Sequence, residues 1–186
     1  MKKYFKVTTR TIVATGLGAA IFMLLFMYVK IPSPVPETEF QTAYGIGAFF
    51  ATLFGPIAGG LIAFIGHALS DAIQYGSPWW SWVLASGIAG FVFGFAFKNT
   101  RVEEGEFKFK DILKFNLIQI IGNLVAWIII APVLDIVIYA EPVNLVFTQG
   151  AIAAVMNIIS AGVIGTLFLV AYAATRTKKG SITKNQ

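Results

Sequence analysis

Apolar runs broken by proline, glycine and charge divide the chain into six segments. The first covers residues 11–29, behind Lys2, Lys3, Lys6 and Arg10. It suits a bilayer crossing of about 20 residues. A secretory signal would have a shorter core and a small-residue cleavage site, and no convincing site closes this run. An uncleaved helix is therefore expected. Residues 30–41 carry Pro32, Pro34 and Pro36 and read as an extended loop. The second run, 42–54, is short for a full span, so a tilted or partly embedded helix is expected before the Gly55-Pro56 break. The third, 57–75, ends at Gly76-Ser77-Pro78. A fourth follows over 80–97. The fifth, 115–138, contains Pro132, which should kink or end its last turns. After Glu141-Pro142 comes the sixth, 145–174. It exceeds a simple span, so it is either tilted or preceded by an interfacial segment. The expected fold class is all-α: one polytopic domain, 1–186, forming a six-helix transmembrane bundle.

Composition strengthens that reading. Of 186 residues, 57% are hydrophobic and only 12% charged, against about 25% charged in soluble domains. With no cysteine, disulfides, thiolate metal sites and cysteine nucleophiles are excluded. A net charge of +5 would be compatible with nucleic acid, but the placement of charge argues otherwise. If the N-terminus, the Gly55-Pro56 turn, the 99–114 connector and the tail face the cytoplasm, every Lys and Arg except Lys30 lies on or towards that side. Glu37, Glu39, Asp71, Asp135 and Glu141 then lie on or towards the outside. This is the positive-inside rule, and it requires an even number of spans with both termini cytoplasmic. The basic residues read as topology determinants, with no nucleic-acid role.

The candidate chemistry concentrates in residues 66–82, GHALSDAIQYGSPWWSW. His67, the only histidine, and Asp71 lie four residues apart, about one helical turn, and so share a face. Ionisable groups inside a membrane are costly and by default mark a functional site; a structural hydrogen bond between helices is the alternative. Tyr75 continues the face towards the outer surface. Trp79, Trp80 and Trp82 suit the membrane–water boundary, where they would anchor the helix, stack on a ligand, or both. In the fifth segment Gln119, Asn123 and Trp127 form one stripe, and Gln149, Asn157 and Ser160 lie on the sixth. Buried amides require partners, supplied either by neighbouring helices or by a ligand of uncharged or mixed polarity. Ala14/Gly18 and Gly16/Ala20 give the first helix small-xxx-small spacing, and Gly87, Gly90 and Gly94 line the fourth. Such residues serve internal packing or docking of another subunit.

Motifs for catalysis are missing. The chain has no GxxxxGK[ST] phosphate loop and no HExxH, and one histidine cannot build a histidine-rich metal site. Ser70 adjoins Asp71 and His67 in sequence without a convincing nucleophile–base–orienter arrangement. No enzyme activity, cofactor or metal is expected.

The block FGPIAGGLIAFIGHALSDAIQYGSPWWSW, residues 54–82, with the first-helix stretch ATGLGAA from Ala14, resembles the S components of energy-coupling factor (ECF) transporters. The resemblance is to the riboflavin-type substrate-binding family, which also takes in cobalamin-type S components, and it extends along almost the whole chain. It implies a subunit of the bacterial plasma membrane that captures a vitamin-like small molecule from outside. Transport would need a transmembrane coupling subunit and two ATPase subunits, the S component toppling in the membrane to release its ligand inside. The implied ligand is a corrinoid such as cobalamin first and riboflavin next, with a methionine-related compound or another vitamin after these. The expected binding residues are His67, Asp71, Tyr75, Trp79, Trp80, Asn123, Trp127, Gln149 and Asn157. Pro34, Pro36 and Phe40 would belong to a lid, and Ala14, Gly16, Gly18 and Ala20 would touch the coupling subunit. A stand-alone secondary transporter or channel is the competing class, but it predicts repeated halves about a midplane site, and no convincing internal repeat is visible.

Overall fold

The computed structural model describes residues 7–176. Thr8 opens the first helix, α1 (Thr9–Tyr28), its hydroxyl accepting from the Thr11 amide. A two-stranded antiparallel hairpin follows, β1 (Lys30–Pro32) and β2 (Glu39–Gln41), paired Lys30 to Gln41 and Pro32 to Glu39. The extended loop expected here is thus folded back on itself, with Glu37 near its tip in the left-handed region at φ 55°. Next come α2 (Ala43–Phe54) and α3 (Pro56–Tyr75), the latter begun by proline at its first position and stopped by Gly76 at φ 83°. A side chain at Gly76 would carry the left-handed penalty that glycine escapes. The fourth helix, α4 (Trp80–Phe93), turns at Gly94 into the short α5 (Ala96–Asn99).

The last two expected spans differ in detail. The fifth begins at Phe109, ahead of the expected 115, because Asp111 caps it: its carboxylate accepts from the amides of Lys108 and Arg101. It continues as α6 (Phe109–Leu124), a π-helical stretch (Val125–Ile130) and α7 (Ala131–Tyr139). Pro132 therefore does not end the helix. The π stretch immediately before it takes up the mismatch created by the missing N–H and the ring. The sixth is likewise one rod: α8 (Val143–Ser160), a π stretch (Ala161–Gly165) and α9 (Thr166–Thr175). At 31 and 33 residues these rods measure about 46–50 Å, longer than the roughly 30 Å hydrocarbon layer. Among the described residues, five helices are long and apolar enough to cross a membrane, and α2 is a sixth, shorter apolar helix.

Packing follows the small residues. A methyl added at Gly59 would overlap the Gly90 carbonyl, and one at Gly90 the Gly59 carbonyl, so α3 and α4 meet backbone to backbone. Gly94 meets Pro56 in the same way. The fourth-helix glycines thus serve internal packing. The short α2 runs through the centre, with Ala43, Tyr44, Ala48 and Ala51 buried among Phe22, Phe115 and Trp127. Outward, the long helices present Val13, Leu17, Ile73, Ile121, Ile129 and Val155, while buried polar residues point inward. Apolar outside and polar within is the arrangement a bilayer demands.

The two ends of the bundle differ. At one, Glu103 accepts from Arg10, Arg176 and the Tyr172 hydroxyl. At the other, the hairpin is tied to α3 by a Lys30–Gln74 hydrogen bond of 3.3 Å and to α8 by Gln149 donating to the Pro36 carbonyl at 3.1 Å.

Candidate ligand-binding site

Beneath the hairpin, between the ends of α1, α3, α7 and α8, lies a cavity of about 440 Å³. Its floor is a polar chain that begins with the two residues one turn apart on α3. His67 Nε2 lies 3.4 Å from Asp71 Oδ1, and both side chains are buried. On the other side of the ring, Nδ1 is 2.6 Å from the Ser86 hydroxyl, itself 2.7 Å from the Tyr44 hydroxyl. One proton arrangement accommodates the series: Tyr44 donates to Ser86, Ser86 donates to Nδ1, and Nε2 keeps its hydrogen towards Asp71. The Phe26 ring lies against the imidazole, centroids 4.3 Å apart. Asp71 Oδ2 accepts from the Trp79 amide at 3.0 Å, which fixes the turn between α3 and α4.

A second buried carboxylate organises the aromatic wall. Asp135, on α7, accepts from Trp79 Nε1 at 2.7 Å, from Trp82 Nε1 at 2.6 Å and from the Ser81 hydroxyl. Indole N–H groups only donate, so an acceptor at Asp135 sets the direction of two tryptophans at once. Trp82 then stacks on Trp127 with centroids 5.5 Å apart and planes 26° apart, and Tyr44 meets Trp127 edge-on at 5.3 Å.

Of the residues expected from the sequence, His67, Asp71, Tyr75, Trp79, Trp127, Gln149 and Asn157 line the cavity. Two others lie elsewhere. The Trp80 ring stacks on Phe64, while its amide donates to the Tyr139 hydroxyl. Asn123 is fully buried behind Trp127 and accepts from its indole N–H at 2.9 Å. Its own amide donates to Gln119 Oε1 at 2.9 Å, and Gln119 donates in turn to Asn116. The amide stripe is thus a ladder through the bundle whose last rung orients a cavity tryptophan. In the hairpin, Glu37, Thr38, Glu39 and Gln41 line the cavity; Pro34, Pro36 and Phe40 do not, although the Pro36 carbonyl fastens the hairpin to α8. Ser70 is bonded to Gln74.

Sequence reasoning missed Tyr44 and Asp135 as wall residues, and it named Trp82 only as a boundary aromatic that would anchor the helix or stack on a ligand. Asp135 had a signal: it is an acid within an apolar run. The first-helix set also divides. Ala14 and Gly18 are buried, an added methyl at Gly18 meeting the Ile62 side chain at 2.7 Å, whereas Gly16 and Ala20 are exposed and Gly16 faces open space. Positions 14 and 18 fall on one side of a helix and 16 and 20 nearly opposite, so the four do not form one surface.

The family model described as "ECF-type riboflavin transporter, S component" matches residues 6–174. The chain is 51% identical to a UPF0397 protein of Enterococcus faecalis, over 97% of this chain and 98% of that one. It is 57% identical to a UPF0397 protein of Exiguobacterium sp. over 94% and 96%, and 50% identical to one of Clostridium perfringens over 99% of each. No solved structure matches.

Proposed function

The chain belongs to the ECF-type riboflavin transporter S component family, and from that membership we propose that it captures a planar, vitamin-sized heterocycle at the outer face of the membrane for ATP-driven uptake by partner subunits. The family is one of transporter subunits rather than enzymes, and its members sit in the bacterial cell membrane and pair with membrane and ATPase subunits. In this reading the partners are one transmembrane coupling subunit and two ATPases, and the chain itself carries out no catalysis.

The observation that carries the proposal is the aromatic cavity with a hairpin across it, at the end of the bundle remote from Arg10 and Arg176. By the positive-inside rule the arginine end faces the cytoplasm, which turns the cavity outward. His67, Asp71, Tyr75, Trp79, Trp127, Gln149 and Asn157 would meet the ligand directly, and Asn123 would act through Trp127. A volume of about 440 Å³ falls low in the roughly 300–1,000 Å³ range of small-molecule sites. That favours a ligand of riboflavin size over a corrinoid, whose macrocycle and axial nucleotide are far bulkier, and reverses the order implied by resemblance alone. On α1, Gly16 and Ala20 would meet the coupling subunit, while Ala14 and Gly18 hold α1 against α3.

Purification followed by mass spectrometry of the co-purified small molecule tests the capture role. The expected result is a stoichiometric planar heterocycle, and uptake of that compound by cells only when the ATPase subunits are co-expressed. Accumulation driven by this chain alone would overturn the proposal in favour of a stand-alone transporter. Gly16→Phe should leave binding intact and abolish uptake; undiminished uptake would remove α1 from the docking surface.

A further inference from the structure

Building on that capture role, we infer that the ligand is an organic cation: a planar heteroaromatic with delocalised positive charge and N–H donors. Five carboxylates, Glu37, Glu39, Asp71, Asp135 and Glu141, line the cavity, and among the described residues its wall contains no lysine or arginine. Lys30 neutralises Glu39 from outside the wall at 2.7 Å, and His67 stands beside Asp71. Asp135 is held by neutral donors alone, and Glu37 and Glu141 have no cationic partner among the described residues. Carboxylates grouped in a cleft with low-dielectric walls focus a negative potential that concentrates cations and repels anions.

A separate observation points to the same chemistry. Gln41 and Asn157, 6% and 3% exposed, line the cavity, and each has a buried side-chain oxygen without a hydrogen-bond partner. A buried acceptor left unpaired is costly, and an amide oxygen only accepts, so the missing component is a donor. Trp79, Trp82 and Trp127 line the same cavity, and indole rings attract a delocalised cation. The acids do not converge as a metal site: among the described residues no group of three or more His, Asp or Glu is placed to hold an ion.

Equilibrium dialysis of the purified full chain against two tricyclic probes tests the assignment. Proflavine is a planar cation with two amino groups; riboflavin is neutral and of similar width. The expected result is proflavine binding about tenfold tighter than riboflavin, or about 1.4 kcal/mol, with an affinity that falls as salt is added. Asp71→Asn should weaken proflavine about tenfold. Glu141→Gln, in the turn between α7 and α8 and outside the buried His67–Asp71 chain, should weaken proflavine about threefold even if the Asp71 variant fails to fold. Riboflavin binding as tightly as proflavine, or proflavine indifferent to Glu141→Gln and salt, would overturn the cation assignment and leave the capture role standing. Binding of neither probe would overturn the cation assignment, while the capture role is judged separately by the co-purified molecule.

Discussion

Asn123 illustrates how a side chain acts on a site it does not touch. It links the Trp127 indole N–H to Gln119 Oε1, both fully within the bundle. Replacing it with alanine strands a donor and an acceptor at once, at about 1–3 kcal/mol for each group left unpaired. Asn123→Ala should therefore lower thermal stability in detergent and weaken ligand binding together. Trp127→Phe removes the stranded donor, so the double variant should lose less than the sum of the two single losses, by about 0.5–3 kcal/mol. Strictly additive losses would mean that Asn123 does not hold Trp127. Asp135 has a comparable role for Trp79 and Trp82. These tryptophans resemble interfacial anchors in the sequence; in the fold, a buried acceptor aims them into the cavity.

Among the elements, α3 and α4 form the scaffold and α1 presents two unlike faces. The α3–α4 crossing leaves no room for a side chain at Gly59 or Gly90, so Gly90→Ala should destabilise by roughly 1–3 kcal/mol as the helices are forced apart. Gly16→Ala, in open space on α1, should be neutral or stabilising by up to about 1 kcal/mol. Thermal unfolding of the two variants side by side makes the comparison, and equal effects would contradict the packing described. Glycine count in the sequence does not separate these cases, because small-xxx-small spacing occurs in both helices. Pro132 gives a similar lesson: a proline in an apolar run signals a break, yet the preceding π stretch carries the rod through it.

For the whole molecule, the decisive property is which end faces outward. With no cysteine in the chain, single substitutions report orientation without background. Val35→Cys, in the hairpin, should react with a membrane-impermeant maleimide in intact cells, and Glu104→Cys, at the arginine end, only after lysis. The reverse labelling would turn the cavity to the cytoplasm and remove its role in capture. In the proposed role, ligand would enter under the hairpin, which lines the cavity, and α1 would offer a partner the side on which Gly16 faces open space.

The sequence by itself determined the membrane class, the helices to within a few residues at most ends, and the His67–Asp71 face, because bilayer thickness and helical periodicity act locally along the chain. It also placed seven cavity residues among its nine candidates. The separation of Ala14 and Gly18 from Gly16 and Ala20, the removal of Asn123 from the wall, and the gathering of Tyr44, Trp82 and Asp135 around one space were decided only by tertiary structure. Those outcomes depend on which helix lies opposite which. Residues 44, 82 and 135 share no spacing that any local rule reads, and a carboxylate becomes the hinge of an aromatic wall only when packing brings two indoles to it.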